Sequence, residues 1–307
     1  MKEKTFIITG GNSGLGCQCA KNIALASEHN HVIIASRNVE KSGQSVVALS
    51  SETGNSHLYA LPFNLASLES VREFCKMFRE MNLPPLYGLV CNAISGGSAV
   101  AYTEDGFEQT FGVGHLGHFL LANILSTAMP DNGRIVFVSS DQHDPPKILG
   151  KLSYTDALDL ARPPKPLSHA MRYSATKLCN LYCTYEMAER ITSETNKRIT
   201  VNAFNPGFMA DTGLSGNAKS FGERLAKNIA PLLARLLGTY SDAKKSGRLL
   251  ASLMTDAQWE GITGKYFDRG KECPSSELSY NKVNAKNLWK RSIELVQLQK
   301  EETLFTQ

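Results

Sequence analysis

Tyr173 and Lys177, in the run Tyr173-Ser174-Ala175-Thr176-Lys177, set a phenol and an amine four residues apart. On a helix that spacing stacks the two side chains on one face, a turn apart. An ammonium beside a phenol favours the phenolate. The tyrosine, which ordinarily titrates at about 10, is therefore expected to come down toward neutral pH, where it can give and take a proton. Alone, the pair is also what an ordinary exposed helix face looks like. Ser139 and Ser140 add to it, because they end the apolar run that begins at Arg134. The carboxyl ends of strands are where α/β sheets gather their ligands, and a hydroxyl there can hold a carbonyl beside the phenol.

A second constellation is Thr9-Gly10-Gly11-Asn12-Ser13-Gly14-Leu15-Gly16, placed between a first apolar run and a helical pattern. Glycines at 10, 14 and 16 allow a tight turn, close approach of the backbone to a pyrophosphate and close helix packing, while the helix start offers free N–H groups and a positive dipole end. A glycine-rich connecting loop would share this composition, but strand, turn and helix in that order favour dinucleotide binding. At the end of the second apolar run, where an acid would bond the ribose of NAD, stand Ser36 and Arg37. A planar guanidinium suits a 2′-phosphate, so NADP(H) is expected over NAD(H).

Other chemistry-bearing residues read blandly. His115 and His118 sit three apart without a third ligand at usable spacing, so they are expected to pack or hydrogen-bond rather than bind metal. The seven cysteines show no C-x-x-C pair and are expected to be reduced thiols, with Cys179 and Cys183 as small hydrophobes on one helix face. The formal charge of +4 is scattered along the chain, which argues against a nucleic-acid partner. Charged residues lead directly into Thr5-Phe6-Ile7-Ile8-Thr9, and no apolar stretch reaches spanning length, so neither a signal segment nor an integral membrane segment is expected, and the location is expected to be cytoplasmic.

The elements that must hold these residues follow from periodicity. Short apolar or β-branched runs at 6–9, 31–36, 57–61, 87–91, 134–139, 199–204 and 264–268 read as strands. Helical patterns begin at about Gly14, Val39 and Ser67, span 104–128, and open at Tyr173. Strands alternating with helices give an α/β single-domain Rossmann fold: a doubly wound parallel sheet of about seven strands with helices on both faces. At 307 residues, 42% of them apolar, one large domain covers 1–307. Two stretches break the rhythm. The proline-rich loop at about 144–169 is long enough to be functional. The segment at about 209–240 carries Ile229, Leu232, Leu233, Leu236 and Leu237, which suit either a lid or ordinary packing on the sheet. A tail runs over 271–307.

Taken together, Thr9-Gly-x-x-x-Gly-x-Gly16, Cys91-Asn92-Ala93, Ser140, Tyr173-x-x-x-Lys177 and Asn205-Pro206-Gly207 resemble the short-chain dehydrogenases/reductases over about residues 4–270. Gly114-His-Leu-Gly-His-Phe-Leu-Leu121, Tyr173-Ser-Ala-Thr-Lys-Leu-Cys-Asn180 and Asn205-Pro-Gly-Phe-Met-Ala-Asp-Thr-Gly-Leu214 look like the retinol dehydrogenase and light-dependent protochlorophyllide reductase branch. The resemblance implies that Tyr173 gives the proton in reduction, Lys177 holds the nicotinamide ribose, and Ser140 orients the reacting oxygen. It further implies that Asn64 can hydrogen-bond an adenine edge, that Asn92 lies near the adenosine ribose, that Leu65 and Ala93 also bind the cofactor, and that Pro206, Gly207 and Thr212 shape the nicotinamide pocket. With Gly10, Asn12, Ser13, Gly14, Leu15, Gly16, Ser36 and Arg37, these complete the expected NADP(H) site.

Three departures from the family pattern stand out. Gly114 replaces a usual asparagine, which weakens a water-linked relay behind Lys177. Asn64 replaces an aspartate. Phe208 stands where protochlorophyllide reductases have a cysteine donor, which disfavours that photochemistry. The expected function is hydride transfer between NADP(H) and a carbonyl, alcohol or activated double bond of a fairly apolar small molecule. Two alternatives share the fold: a non-redox epimerisation, cyclisation or rearrangement, and an inactive NADP(H)-binding sensor. Homodimers and homotetramers are common in the family.

Overall fold

The computed structural model describes residues 2–95, 99–145, 152, 154, 156–165, 167–209 and 239–306. Strands β1 (Lys4–Thr9), β2 (Asn30–Ser36), β3 (Leu58–Pro62), β4 (Leu86–Cys91), β5 (Arg134–Val138), β6 (Thr200–Asn205), β7 (Tyr266–Asp268) and β8 (Lys271–Glu272) form one sheet. The order is β3-β2-β1-β4-β5-β6-β7-β8. All neighbours are parallel except β7 and β8, which pair antiparallel. The seven strands read from periodicity are all present. The eighth is a two-residue edge too short to show a period.

Alternation along the strands fills both faces. Phe6, Ile8, Val32, Ile34, Val90 and Val136 pack on one side, under helices α1 (Gly14–Ala26) and α2 (Val39–Thr53), with α6 (Ala243–Thr255). Ile7, Ile33, Leu89, Ile135 and Phe137 face the other side, under α3 (Leu68–Glu80), α4 (Gly117–Ser126), α5 (His169–Glu194) and α7 (Lys282–Val296). Strands apolar on both faces are what a parallel sheet covered twice requires.

The expected helix over 104–128 is shorter and irregular. A short turn at Gln109–Phe111 runs into a π-helical turn at Gly112–Leu116 and then into α4. Helix α5 starts at His169, one turn before Tyr173, because Ser168 accepts a hydrogen bond from Met171 N and caps it there. The tail returns to the body of the protein. Trp289 of α7 packs edge-on to Phe119 at 4.9 Å between ring centroids, and Arg72 donates to Glu302 at 2.6 Å. The lid set Ile229 to Leu237 and much of the expected insertion lie outside the described residues, and among those described no helix is long and apolar enough to cross a membrane.

Candidate active site

The carboxyl ends of β1, β2, β4, β5 and β6 open on a cavity of about 450 Å³. Its floor is the turn after β1. Gly10 and Gly14 take φ of +65° and +53°, which glycine adopts without strain. Gly16 does not line the cavity: a Cβ on it would stand 2.5 Å from Gly10 O and 2.7 Å from Asn92 Nδ2, so it brings α1 tight under the turn. Ser13 caps α1 without a side-chain bond to its free N–H groups. Asn12, Ser13 and Leu15 line the cavity, and this helix start can hold a diphosphate.

Asn92 closes the turn from the β4 side. Its amide donates to Thr9 O at 2.8 Å, and the Asn92 and Ala93 backbone N–H groups donate to Thr9 Oγ1 at 2.9 and 3.0 Å. Asn92 and Ala93 both line the cavity, so the clamp between β1 and β4 is also part of its wall. At the end of β2, Ser36 and, just past it, an exposed Arg37 reach the same space. Sequence reading missed two residues there: Asn38, which caps α2 by accepting from Lys41 N, and Lys41 itself, a second cation. Lys41 follows Arg37 by four residues, in the first turn of α2, a signal that charge spacing carries. Asn64 and Leu65 line the wall after β3. Both functional atoms of the Asn64 side chain are engaged, donating to Glu104 at 2.8 Å and accepting from Ala66 N at 3.1 Å.

At the other end Tyr173 and Lys177 meet Val138, Ser139, Pro206 and Met209 in the cavity wall. Gly207 and Ser140 are not among the lining residues but directly follow two that are, Pro206 and Ser139, and Thr212 lies outside the described residues. Ser140, two residues past the end of β5, accepts from Gln142 N at 3.2 Å, donates to Asp141 at 3.0 Å and hydrogen-bonds the Tyr173 phenol. Gly207 N donates to Asn205 Oδ1 at 3.0 Å, and Ser246 of α6 donates to Pro206 O at 2.6 Å, which fixes the turn after β6.

The expected lowering of the Tyr173 pKa is overturned. Burial pushes the phenol up to about 12, the hydrogen bond with Ser140 pulls it down, and the Asp141 carboxylate pushes it up. Lys177 does not oppose this, because burial also pushes its amine down to about 7. Its Nζ donates to Val138 O at 2.7 Å and stands 5.4 Å from the centre of the Tyr173 ring.

His115 and His118 hydrogen-bond as expected. His118 Nδ1 donates to Gly114 O at 3.4 Å and Nε2 is 2.8 Å from Thr9 Oγ1, while His115 Nε2 is 3.0 Å from Ser292 Oγ. All seven cysteines are free, and Cys179 and Cys183 are buried.

The short chain dehydrogenase family model matches residues 4–152. A WW domain-containing oxidoreductase of Danio rerio is 34% identical over 97% of this chain and 69% of its own length. A polyprenol dehydrogenase of Danio rerio is 35% identical over 96% of this chain and 87% of its own. Among solved structures, a blue fluorescent protein from a metagenomic library, in complex with NADPH, aligns with a TM-score of 0.65 at 21% identity, over 87% of this chain and 96% of that one. With its turn after β1, its Tyr-x-x-x-Lys helix and relatives matched over nearly its whole length, the chain belongs to the short-chain dehydrogenase/reductase family of oxidoreductases.

Proposed function

We propose that the chain is an NADP(H)-dependent oxidoreductase that interconverts a carbonyl and an alcohol, or reduces an activated double bond, on a fairly apolar small molecule. One observation carries the reading. A single cavity has a glycine turn and helix start at its floor, Arg37 and Lys41 at one end, and Tyr173 with Lys177 at the other. The residues present fit a dinucleotide: backbone N–H groups for the diphosphate, two cations for a 2′-phosphate, and an amine near the phenol for the second ribose.

The nicotinamide, when bound, supplies or accepts the hydride. The chain's own residues do the rest. Ser140, once its single O–H turns away from Asp141, donates a hydrogen bond to the reacting oxygen and keeps the Tyr173 hydroxyl beside it. Tyr173, held protonated by its burial, gives its proton to that oxygen in reduction and takes one in oxidation. Lys177 holds the ribose and, when charged, eases the loss of the phenolic proton. Phe63, Ile94, Val113 and Met209 give the cavity an apolar lining. Of these, Met209 stands at the Tyr173 end, and it and the polyprenol dehydrogenase among the relatives favour an apolar alcohol or its carbonyl as substrate.

Titration with NADPH and NADH, followed by a screen of lipophilic carbonyls and alcohols, tests the reading. NADPH is expected to bind at least about tenfold more tightly than NADH, and Arg37→Ala to remove most of that preference. Tyr173→Phe is expected to keep NADPH affinity within a few-fold while losing turnover. Turnover undiminished in Tyr173→Phe refutes its assigned role. Product formed without NADPH loss would point to a non-redox reaction.

A further inference from the structure

Behind Lys177, residue 114 offers no polar group other than its backbone. A Cβ on Gly114 would stand 2.7 Å from Thr176 Cγ2 and 3.4 Å from Ile94 Cδ1, so methyl groups fill that space. A polar route runs instead through Val138. Its carbonyl accepts from Lys177 Nζ at 2.7 Å and, weakly, from Asn180 Nδ2 at 3.5 Å. Asn180 Oδ1 and His115 Nδ1 are both buried without completing a hydrogen bond. They nonetheless bear on each other: burial pushes the His115 ring down to about 4, and the Asn180 amide opposes that shift. The other ring nitrogen, Nε2, lies 3.0 Å from Ser292 Oγ on α7. Ser292, His115 and Asn180 are each 1% exposed or less.

One arrangement of protons serves every contact. Ser292 O–H donates to His115 Nε2, His115 Nδ1–H points at Asn180 Oδ1, and Asn180 Nδ2–H donates to the carbonyl that Lys177 also uses. Buried polar groups are paired as a rule, so a run of them between the tail helix and the site lysine calls for a function.

Resting on the reading of Lys177 as an active-site residue, we propose that Ser292, His115 and Asn180 are positioning residues: a buried chain of donors that shares the Val138 carbonyl with Lys177, sets how firmly the ammonium is held, and makes the tail helix part of the active-site scaffold. The amide N–H occupies part of the carbonyl's accepting capacity and so weakens the ammonium's own bond. Among the described residues, the remaining titratable groups facing Lys177 are Tyr173 on its own helix and His118 on α4. Burial holds His118 neutral, so it adds no charge at the pH values that matter.

The test reads the lysine directly. In protein labelled with 15N at lysine Nζ, the Lys177 resonance is assigned by its loss in Lys177→Arg and followed by NMR from pH 5 to 10 without cofactor. Asn180→Ala is expected to raise its titration midpoint by about half a unit or more, because the amine gains the carbonyl and some hydration. Ser292→Ala is expected to move it less in the same direction, and Ser292→Thr to restore it. In turnover assays kcat should fall in the same order while the carbonyl KM stays put. An unchanged Lys177 midpoint in both alanine variants overturns the proposal. Should Asn180→Ala fail to fold, Ser292→Ala against Ser292→Thr decides it. A purely structural role would lower the thermal midpoint and leave the lysine titration untouched. The NMR readout needs no turnover, so a wild-type protein that binds no nicotinamide nucleotide would sink the functional reading without deciding this one.

Discussion

Burial moves both ionisable groups of the site away from their charged forms. Tyr173 is pushed up to about 12 and Lys177 down to about 7, which leaves a phenol and an amine near neutrality rather than a phenolate and an ammonium. The two directions of the proposed reaction should then respond differently to pH. Reduction needs the protonated phenol, which stays protonated throughout the neutral and mildly alkaline range. Oxidation needs a base, and the phenolate fraction grows about tenfold per pH unit below the phenol's pKa. The rate of alcohol oxidation at saturating NADP+ is therefore expected to climb with a slope near one in log kcat from pH 7 to 10. Reduction should show no matching loss from Tyr173 over that interval. A flat oxidation profile would mean that bound cofactor brings the phenol far down, or that another group accepts the proton. The types and spacing of Tyr173, Lys177 and Ser140 were enough to place them together. Their titration was not, because it depends on burial, which a spacing of four residues does not reveal.

The elements hold these side chains through contacts that bridge long stretches of sequence. Glu108 and Arg172 pair at 3.0 Å with side-chain exposures of only 3% and 4%. Glu108 also accepts from Phe111 N at 2.9 Å, capping the turn that leads into the π-helical segment, and Arg172 donates to Leu167 O at 2.6 Å just before Tyr173. The pair bolts the start of α5 to the approach to α4. Removing one partner leaves the other charge buried without its counter-ion. Glu108→Ala is accordingly expected to cost about 3–5 kcal/mol in denaturant unfolding, with Glu108→Leu/Arg172→Met recovering part of that loss. A loss below about 1 kcal/mol would place the pair among weak surface contacts.

The strands and the glycine turn were legible in the sequence because apolar alternation and Gly10, Gly14 and Gly16 are local signals. The start of α5 four residues before Tyr173 was hidden by the proline-rich run preceding it. The π-helical turn was hidden because its glycines and histidines show no period. Asn38 and Lys41 were passed over because cofactor preference was read from a single cation.

At the scale of the molecule, the layer that carries the site is also where the protein is sensitive to acid. Burial pushes His115 down to about 4 and His118 to about 3, against an ordinary value of 6.5. As pH falls below 6.5 the unfolded chain takes up these two protons before the folded protein does, so stability is whole above that value and is lost on the way down. Each ring accounts for about 3 kcal/mol between pH 7 and pH 4. Lys177 runs in a different window. Its folded pKa lies below its unfolded one, so its burial penalty is constant below pH 7 and disappears as pH rises toward 10.5, adding no slope in acid. Carboxylates titrate over the acid interval too, so the share of one histidine is best read as a difference between variants. His118→Gln keeps an amide that can donate to Gly114 O or accept from Thr9 while removing the titration. Unfolding free energies measured in urea from pH 7 to pH 4 should fall about 3 kcal/mol less in His118→Gln than in the wild type, even though the variant starts lower. Equal slopes would mean that His118 is hydrated or already charged in the folded protein. The sealed layer between α4, α5 and the tail would then be more open than its packing implies, and the low pKa of Lys177, which rests on the same exclusion of water, would have to be reconsidered with it.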